Sequence, residues 1–217
     1  MPECVQKPDG SDDAQDYVTP PFLVAAVGAS AGGLEAFSNL LRELPSDAPL
    51  ALVLVQHMSR TQPSLLPEIL TQRTALHVAQ ASDGVRILAG HVYVIPPNAH
   101  MTVIDGHLRI RPRPKGHWSL QVDALFDSVA EYYREKGIGV ILSGALSDGT
   151  AGFRKIRAAG GITIAQLPAE AQSASMPSAA IATGEVDLVL PVEKIGQELL
   201  RLAALPRFKR EAKPVAL

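Results

Sequence analysis

One stretch near the start of the chain decides the fold, Phe22-Leu23-Val24-Ala25-Ala26-Val27-Gly28-Ala29-Ser30-Ala31-Gly32-Gly33. Its apolar run from Phe22 to Val27 is continuous rather than alternating, which predicts a strand that is buried on both faces and ends at Gly28. Apolar residues at helical spacing follow from Leu34 to Leu44. A buried strand, a glycine-rich turn and a helix in this order are typical of a parallel sheet covered by helices.

The same alternation continues along the chain. Further buried strands are predicted at Leu50 to Val55, Ile138 to Leu142, Ile162 to Ala165 and Val186 to Leu190, and helices at 64–70, 122–133, 150–159 and 192–202. Short strands are predicted at 92–95, 101–104 and 107–110, where Asp105-Gly106 indicates a hairpin. We therefore predict an α/β fold with a doubly wound, mostly parallel sheet, helices on both faces and a small antiparallel hairpin insertion.

Composition limits the class of protein. The 217 residues are 47% hydrophobic, with a formal net charge of -2, which excludes dominant disorder and argues against nucleic-acid binding by bulk charge. Cys4 is the only cysteine, so an intrachain disulfide is excluded. No apolar run is long enough to span a bilayer and no signal peptide is visible, so we expect a cytoplasmic protein without membrane insertion. We predict a disordered leader over 1–20, a catalytic domain over 21–204 and a tail or linker over 205–217.

Three polar residues follow three of the predicted buried strands: Ser30, His57 and Asp148. Ligands of doubly wound folds bind beyond the carboxyl ends of the strands, where these residues are expected to meet. Ser30 lies in a G-x-S-x-G turn, in which glycines allow a serine hydroxyl to project from the sheet and the Ala31 N–H to lie at a helix N-terminus. A serine, a histidine and an aspartate at one edge form a nucleophile, a base and an orienting group.

Other interpretations stay open for each residue taken singly. Ser30 and Asp148 could be helix N-caps, His57 could bond to a loop, and the glycine-rich turn could bind a nucleotide phosphate, although G-x-G-x-x-G is missing. His117 is a further histidine that could lie near the site. The chain order Ser, His, Asp differs from the order in α/β-hydrolases and disfavours that superfamily.

The sequence also resembles the catalytic domain of the chemotaxis receptor methylesterases, which hydrolyse glutamyl methyl esters on chemoreceptors. The matching stretches are VGASAGG at 27–33, VQHM at 55–58, GHVYVIPP at 90–97, VDALF at 122–126, GVILSG at 139–144, SDG at 147–149, and MP at 176–177 through IATG at 181–184. They are collinear and cover about 22–203.

This resemblance implies roles for particular residues. Ser30 would be the nucleophile, His57 the base and Asp148 its orienting partner, and the backbone N–H groups of Ala31 and Ala145 would stabilise the oxyanion. It implies no metal and no cofactor, a methyl-accepting chemoreceptor as substrate, and deamidation of receptor glutamines as a related activity. The sequence looks most like methylesterase modules fused to receptor methyltransferases, so such an enzyme is an expected fused or separate partner.

Some residues depart from the family pattern. Leu146 stands where the family usually has a glycine, which could have held a positive φ, and Ser175 also replaces a glycine. A second hypothesis is therefore a catalytically weakened docking or regulatory module of a larger chemosensory protein. The basic stretch Arg109, Arg111, Arg113 and Lys115 is either a solvated loop or a rim that contacts an acidic receptor, and Trp118 beside it is unassigned.

Overall fold

The computed structural model describes residues 22–57, 64–113 and 120–206. Seven parallel strands form the main sheet in the order β3-β4-β2-β1-β7-β8-β9, and two antiparallel strands, β5 and β6, form a separate hairpin. The strands are β1 (Leu23–Ala29), β2 (Leu50–Gln56), β3 (His77–Gln80), β4 (His91–Val94), β5 (Ala99–Ile104), β6 (His107–Pro112), β7 (Gly137–Ile141), β8 (Ile162–Gln166) and β9 (Leu188–Leu190). The α-helices are α1 (Gly33–Arg42), α2 (Leu66–Thr71), α3 (Gln121–Tyr133), α4 (Thr150–Ala158), α5 (Ser175–Ala182) and α6 (Val192–Ala203).

The central strand β1 is buried on both faces and contributes to two cores. Leu23, Ala25 and Val27 face a core formed with α1 and α6, whereas Val24 and Ala26 face one formed with α3, α4 and α5. Period-two alternation of the strand thus supplies both faces with small and branched apolar side chains. The prediction of a doubly wound parallel sheet with helices on both faces is confirmed.

The predicted hairpin is also confirmed. Asp105 and Gly106 both take positive φ, and Ile104 pairs with His107 across the turn. Leu108 is among the residues of the hairpin that enter the core beside α3, and Ser128 of that helix accepts a hydrogen bond from the Val103 N–H at 3.0 Å. The hairpin therefore covers α3, outside the parallel sheet.

The structure differs from the prediction at the end of one strand, at the start of another and in the number of strands of the main sheet. The first strand does not end at Gly28 but continues to Ala29. The glycine at position 28 allows close packing of α3 instead, because a Cβ there would collide with Val122. The main sheet contains the five predicted buried strands and also β3 and β4, of which β4 corresponds to the short strand predicted at 92–95. The last strand begins at Leu188 instead of Val186 and lies at an edge, where Val189 is 39% exposed.

Helix α5 was not expected from the sequence. Its residues are mostly small and show no apolar stripe, and Pro177 lies in its first turn. Contacts made elsewhere in the fold hold it, because Met176 and Ala180 are buried and the Met176 N–H donates to the Gly144 carbonyl at 2.9 Å. Within the described part of the chain, every helix is too short or too polar to cross a membrane.

Candidate active site

The structure brings the loops of Ser30, His57 and Asp148 together at the carboxyl ends of the three central strands. Since Ala29 is paired with Gln56, Ser30 and His57 follow adjacent strands at the same level. The His57 N–H donates to the Ala29 carbonyl at 3.2 Å, and the Ser30 N–H donates to the Ser143 carbonyl at 3.0 Å. Backbone hydrogen bonds thus join the loop that follows β1 to those that follow β2 and β7.

The turn that carries Ser30 is a tight one. Gly32 has a φ of 80°, and the Gly33 N–H donates to the Ser30 carbonyl at 2.9 Å. The N-cap of α1 is Gly32, without any capping side chain, so the interpretation of Ser30 as a helix cap is wrong. Ser30 is partly exposed, which leaves its side chain accessible at the edge of the sheet.

The imidazole of His57 is bonded to the carboxylate of Asp148. The distance from His57 Nε2 to Asp148 Oδ2 is 2.7 Å, and the two side chains are 20% and 4% exposed. The loop group to which the His57 ring is bonded is thus a carboxylate side chain. Because Nε2 faces the aspartate, Nδ1 is the ring nitrogen left for a reacting group.

Asp148 is held by the first turn of α3. Its Oδ2 accepts a hydrogen bond from the Val122 N–H and its Oδ1 one from the Asp123 N–H, each at 3.0 Å. These are two of the amides that a helix N-terminus leaves without an intrahelical partner, and the helix dipole favours a negative charge there. The alternative that Asp148 caps its own helix is wrong, since Gly149 is the N-cap of α4.

These amides are functional groups that sequence reasoning missed. They belong to the backbone, so no side-chain type in the sequence signals them. The residue in the sequence that comes closest to indicating them is Gly28. Its missing Cβ lets Val122 approach β1 and so brings the amides of α3 to the aspartate.

A second carboxyl group, that of Asp123, lies beside Asp148. Its Oδ1 accepts a hydrogen bond from the Gly152 N–H at 2.7 Å, and the residue is only 8% exposed. Burial, more than the nearby charge of Asp148, raises the pKa of Asp123 above its usual value. Asp123 thus links the start of α3 to α4 and supports the position of Asp148.

The two expected oxyanion donors flank the serine. Ala31 and Ala145 are both exposed, and within the described residues neither backbone N–H donates a hydrogen bond. Ala31 directly precedes Gly32, the N-cap of α1. The Ser143 hydroxyl donates to the Ala31 carbonyl at 2.7 Å, in the peptide group that follows the one carrying the Ala31 N–H.

Leu146 has the strained conformation that its place in the family pattern suggested. Its φ is 72°, in the left-handed region that favours glycine, and the residue is 54% exposed. Ser175, the other departure, is simply the first residue of α5.

The basic stretch lies partly on the hairpin. Arg109 and Arg111 alternate with residues that pack inward, so they face away from the core. Arg111 pairs with Asp83 at 3.5 Å, and the pKa of Asp83 is lowered first by the Ile110 N–H bonded to its carboxylate. Lys115, His117 and Trp118 lie outside the described residues.

A cavity of about 240 Å³ adjoins the serine turn, with Gly32 and Ser143 in its wall. Glu35, Glu170 and Glu193 also line it, and this local negative charge disfavours the phosphates of a nucleotide. In the described ranges, no three histidine, cysteine or acidic side chains are grouped so that they could hold a metal ion.

A serine followed at adjacent strand ends by a hydrogen-bonded His-Asp pair is the arrangement of a serine hydrolase. The particular class follows from comparison: residues 25–199 match the model of the CheB methylesterase family, and the chain belongs to this family.

Similar proteins agree with that assignment. A relative in Leptospira interrogans is 36% identical over 183 residues, which are 83% of this chain and 95% of the relative. The protein-glutamate methylesterase/protein-glutamine glutaminase 1 of Xanthomonas campestris is 37% identical over 84% of this chain, but the match spans about half of that longer protein. The crystal structure of the Thermotoga maritima CheB methylesterase catalytic domain superposes with a TM-score of 0.77 at 31% identity and covers 83% of this chain and 98% of that domain.

Proposed function

We propose that this protein is a protein-glutamate methylesterase that removes methyl esters from glutamyl side chains of chemoreceptors and releases methanol. The bond of 2.7 Å between His57 and Asp148, at the strand end next to Ser30, carries this proposal. It supplies an oriented base beside a serine in a chain of the methylesterase family.

In this mechanism the Ser30 hydroxyl attacks the ester carbonyl while His57 Nδ1 accepts its proton. The N–H groups of Ala31 and Ala145 stabilise the tetrahedral oxyanion, and a donor of this kind contributes roughly 2.7–4 kcal/mol in the transition state. The imidazolium then returns the proton to the departing methoxide, which leaves as methanol. A water activated by His57 finally hydrolyses the acyl-enzyme, frees the glutamate and restores Ser30.

Asp148 acts on the imidazole. Its carboxylate accepts the Nε2 proton, which fixes the tautomer with a free lone pair on Nδ1, and it stabilises the imidazolium that forms. The two amides of α3 keep the carboxylate in place.

The test is methanol release from a methylated chemoreceptor cytoplasmic fragment. The wild-type protein is expected to release methanol and Ser30→Ala to release none, since the substitution removes the attacking hydroxyl. Ser46→Ala is the matched control, because Ser46 is exposed in the loop before β2, at the opposite edge of the sheet, and the same hydroxyl is lost there. Equal release by Ser30→Ala and the wild type would refute Ser30 as nucleophile.

The same acyl chemistry supports a second activity, deamidation of receptor glutamines. Ammonia then replaces methanol as the leaving group, and a name of this kind is borne by the Xanthomonas relative. Ammonia release from an unprocessed receptor fragment, lost in Ser30→Ala, is the expected result.

The second hypothesis, a weakened docking module, is favoured by the strained Leu146 in the loop before Asp148. An activated phosphonate distinguishes the two, because it labels an activated Ser30 and does not label an inert one. Several expectations from the sequence stay predictions. They are the fusion to a receptor methyltransferase, the leader over 1–20, the domain bounds 21–204, the linker over 205–217 and the contact of the basic stretch with a receptor.

A further inference from the structure

An exposed aliphatic side chain lies in the loop between β7 and α4, which carries the orienting aspartate. Leu146 is 54% exposed and has a φ of 72°, which strains a residue with a Cβ but causes no steric strain in glycine. Strained backbone conformations concentrate at functional sites, where the surrounding structure maintains them. The side chain of Leu146 is therefore displayed to solvent by a conformation that a leucine does not otherwise favour.

Both ends of this loop lie at the candidate site. At its start, a Cβ built on Gly144 would lie 3.1 Å from the Cβ of Ser30, and at its end Asp148 bonds to His57. Between them Ala145, Leu146 and Ser147 are all exposed, and none carries a charge.

A second exposed leucine lies near the same carboxylate. Leu120 is 56% exposed and is the N-cap of α3, two residues before the Val122 amide that binds Asp148. We call the surface formed by Leu120, Ala145, Leu146 and Ser147 the leucine rim. Its four residues are exposed and uncharged, and each lies within three residues of Asp148 or of the Val122 amide that binds it.

We propose that Leu146 is a specificity-determining contact for the protein substrate, in which the leucine rim binds aliphatic side chains that flank the esterified glutamate. This inference rests on the proposed function. If the glutamate lies on a helix, side chains three and four residues away share its face and meet the rim while the ester reaches Ser30. An uncharged rim gains by covering apolar surface and offers no partner to a charged side chain.

The experiment compares two substrates, the methylated receptor fragment and the small ester N-acetylglutamate γ-methyl ester, by methanol release. Leu146→Ala is expected to lower kcat/KM on the receptor fragment about five- to tenfold, mainly through KM, as the loss of half of a leucine burial implies. The ratio of the two kcat/KM values then falls by a similar factor, because the small ester has no flanking side chains. Leu146→Met, which keeps an apolar side chain, restores most of the ratio.

Ile104→Ala is the matched control, since Ile104 is an aliphatic residue of similar exposure, 50%, on the hairpin. It is expected to leave the ratio unchanged. An equal loss on both substrates in Leu146→Ala, or no loss on either, would overturn the proposal.

A binding measurement separates this inference from the proposed function. The affinity of the receptor fragment for Ser30→Ala and for Ser30→Ala/Leu146→Ala is measured by fluorescence anisotropy. A loss of affinity of about five- to tenfold in the second variant supports the leucine rim, whether or not the wild type hydrolyses either ester. Failure of the wild type to hydrolyse either ester would refute only the proposed esterase activity. Equal affinities, or no binding to either protein, overturn the rim.

Discussion

Replacement of Asp148 by asparagine tests the central interaction of the site. The carboxylate accepts three hydrogen bonds, from His57 Nε2 at 2.7 Å and from the Val122 and Asp123 N–H groups at 3.0 Å each. An asparagine keeps the shape but has only one accepting oxygen. If its NH2 takes the position of Oδ2, it opposes the Val122 N–H; if it takes that of Oδ1, it opposes the Asp123 N–H. Either orientation leaves a buried backbone donor without an acceptor.

The expected effects follow from that geometry. One unsatisfied buried donor and the lost carboxylate charge together lower the free energy of unfolding by about 1–3 kcal/mol. Loss of the charge that selects the imidazole tautomer lowers kcat by about 10³- to 10⁴-fold, as in other Ser-His-Asp enzymes. Catalysis is therefore far more sensitive to Asp148→Asn than folding is.

Urea unfolding and methanol release by the same protein preparations measure the two effects. Asp83→Asn is the matched control, because Asp83 also accepts a backbone N–H, from Ile110 at 2.9 Å, but is half exposed on the hairpin side. It should change stability far less than Asp148→Asn does and leave kcat unchanged, because exposed charges contribute little to stability. A kcat for Asp148→Asn within tenfold of the wild-type value would refute the reasoning.

Three further predictions concern neighbours of the site. Gly144→Ala places a Cβ 2.5 Å from Met176 Sδ and 3.1 Å from Ser30 Cβ, so it should destabilise the fold by about 1–3 kcal/mol and lower kcat. The double variant Gly144→Ala/Met176→Ala removes the clash with the methionine and should recover much of the kcat. If kcat does not recover, the strain lies at Ser30 alone. Asp123→Asn tests how ionisation of Asp123 affects the stability of the fold. Because burial raises the folded-state pKa of Asp123 above its usual 3.8, ionisation of this carboxyl lowers the free energy of unfolding as the pH rises from 3.8 through the folded-state pKa. The gain in stability of Asp123→Asn over the wild type, from urea unfolding, should thus be larger at pH 7 than at pH 4, and a constant difference would contradict it. Leu146→Gly should raise the free energy of unfolding by about 0.5 kcal/mol, since relief of about 1–2 kcal/mol of backbone strain at the positive φ exceeds the entropy cost of glycine. A lower melting temperature of this variant would show instead that the leucine side chain stabilises the fold.

Much of the architecture could be read from local patterns. The continuous apolar run at Leu23 to Val27 and the helical spacing after Gly33 define a strand and a helix without reference to the rest of the chain. Parallel strands place their carboxyl ends at one edge, which is why Ser30, His57 and Asp148 could be expected there together.

Other elements could not be read in this way. Helix α5 lacks an apolar stripe. The strand β3 has no buried residue, so its sequence does not show that it lies at an edge of the parallel sheet. Gly28 suggested the end of a strand, whereas its function is to let Val122 approach β1. In each case the deciding contact comes from a distant part of the chain.

The sequence by itself determined the doubly wound sheet and the edge at which the serine, histidine and aspartate lie, because both follow from local periodicity and the direction of parallel strands. Only the tertiary structure decided how the aspartate is held. Asp148 is fixed by backbone amides of α3, some 26 residues earlier in the chain, and amides are common to almost every residue type. Their use depends on where a helix begins in space, so packing against Gly28, and not any side-chain signature, sets the position of the carboxylate.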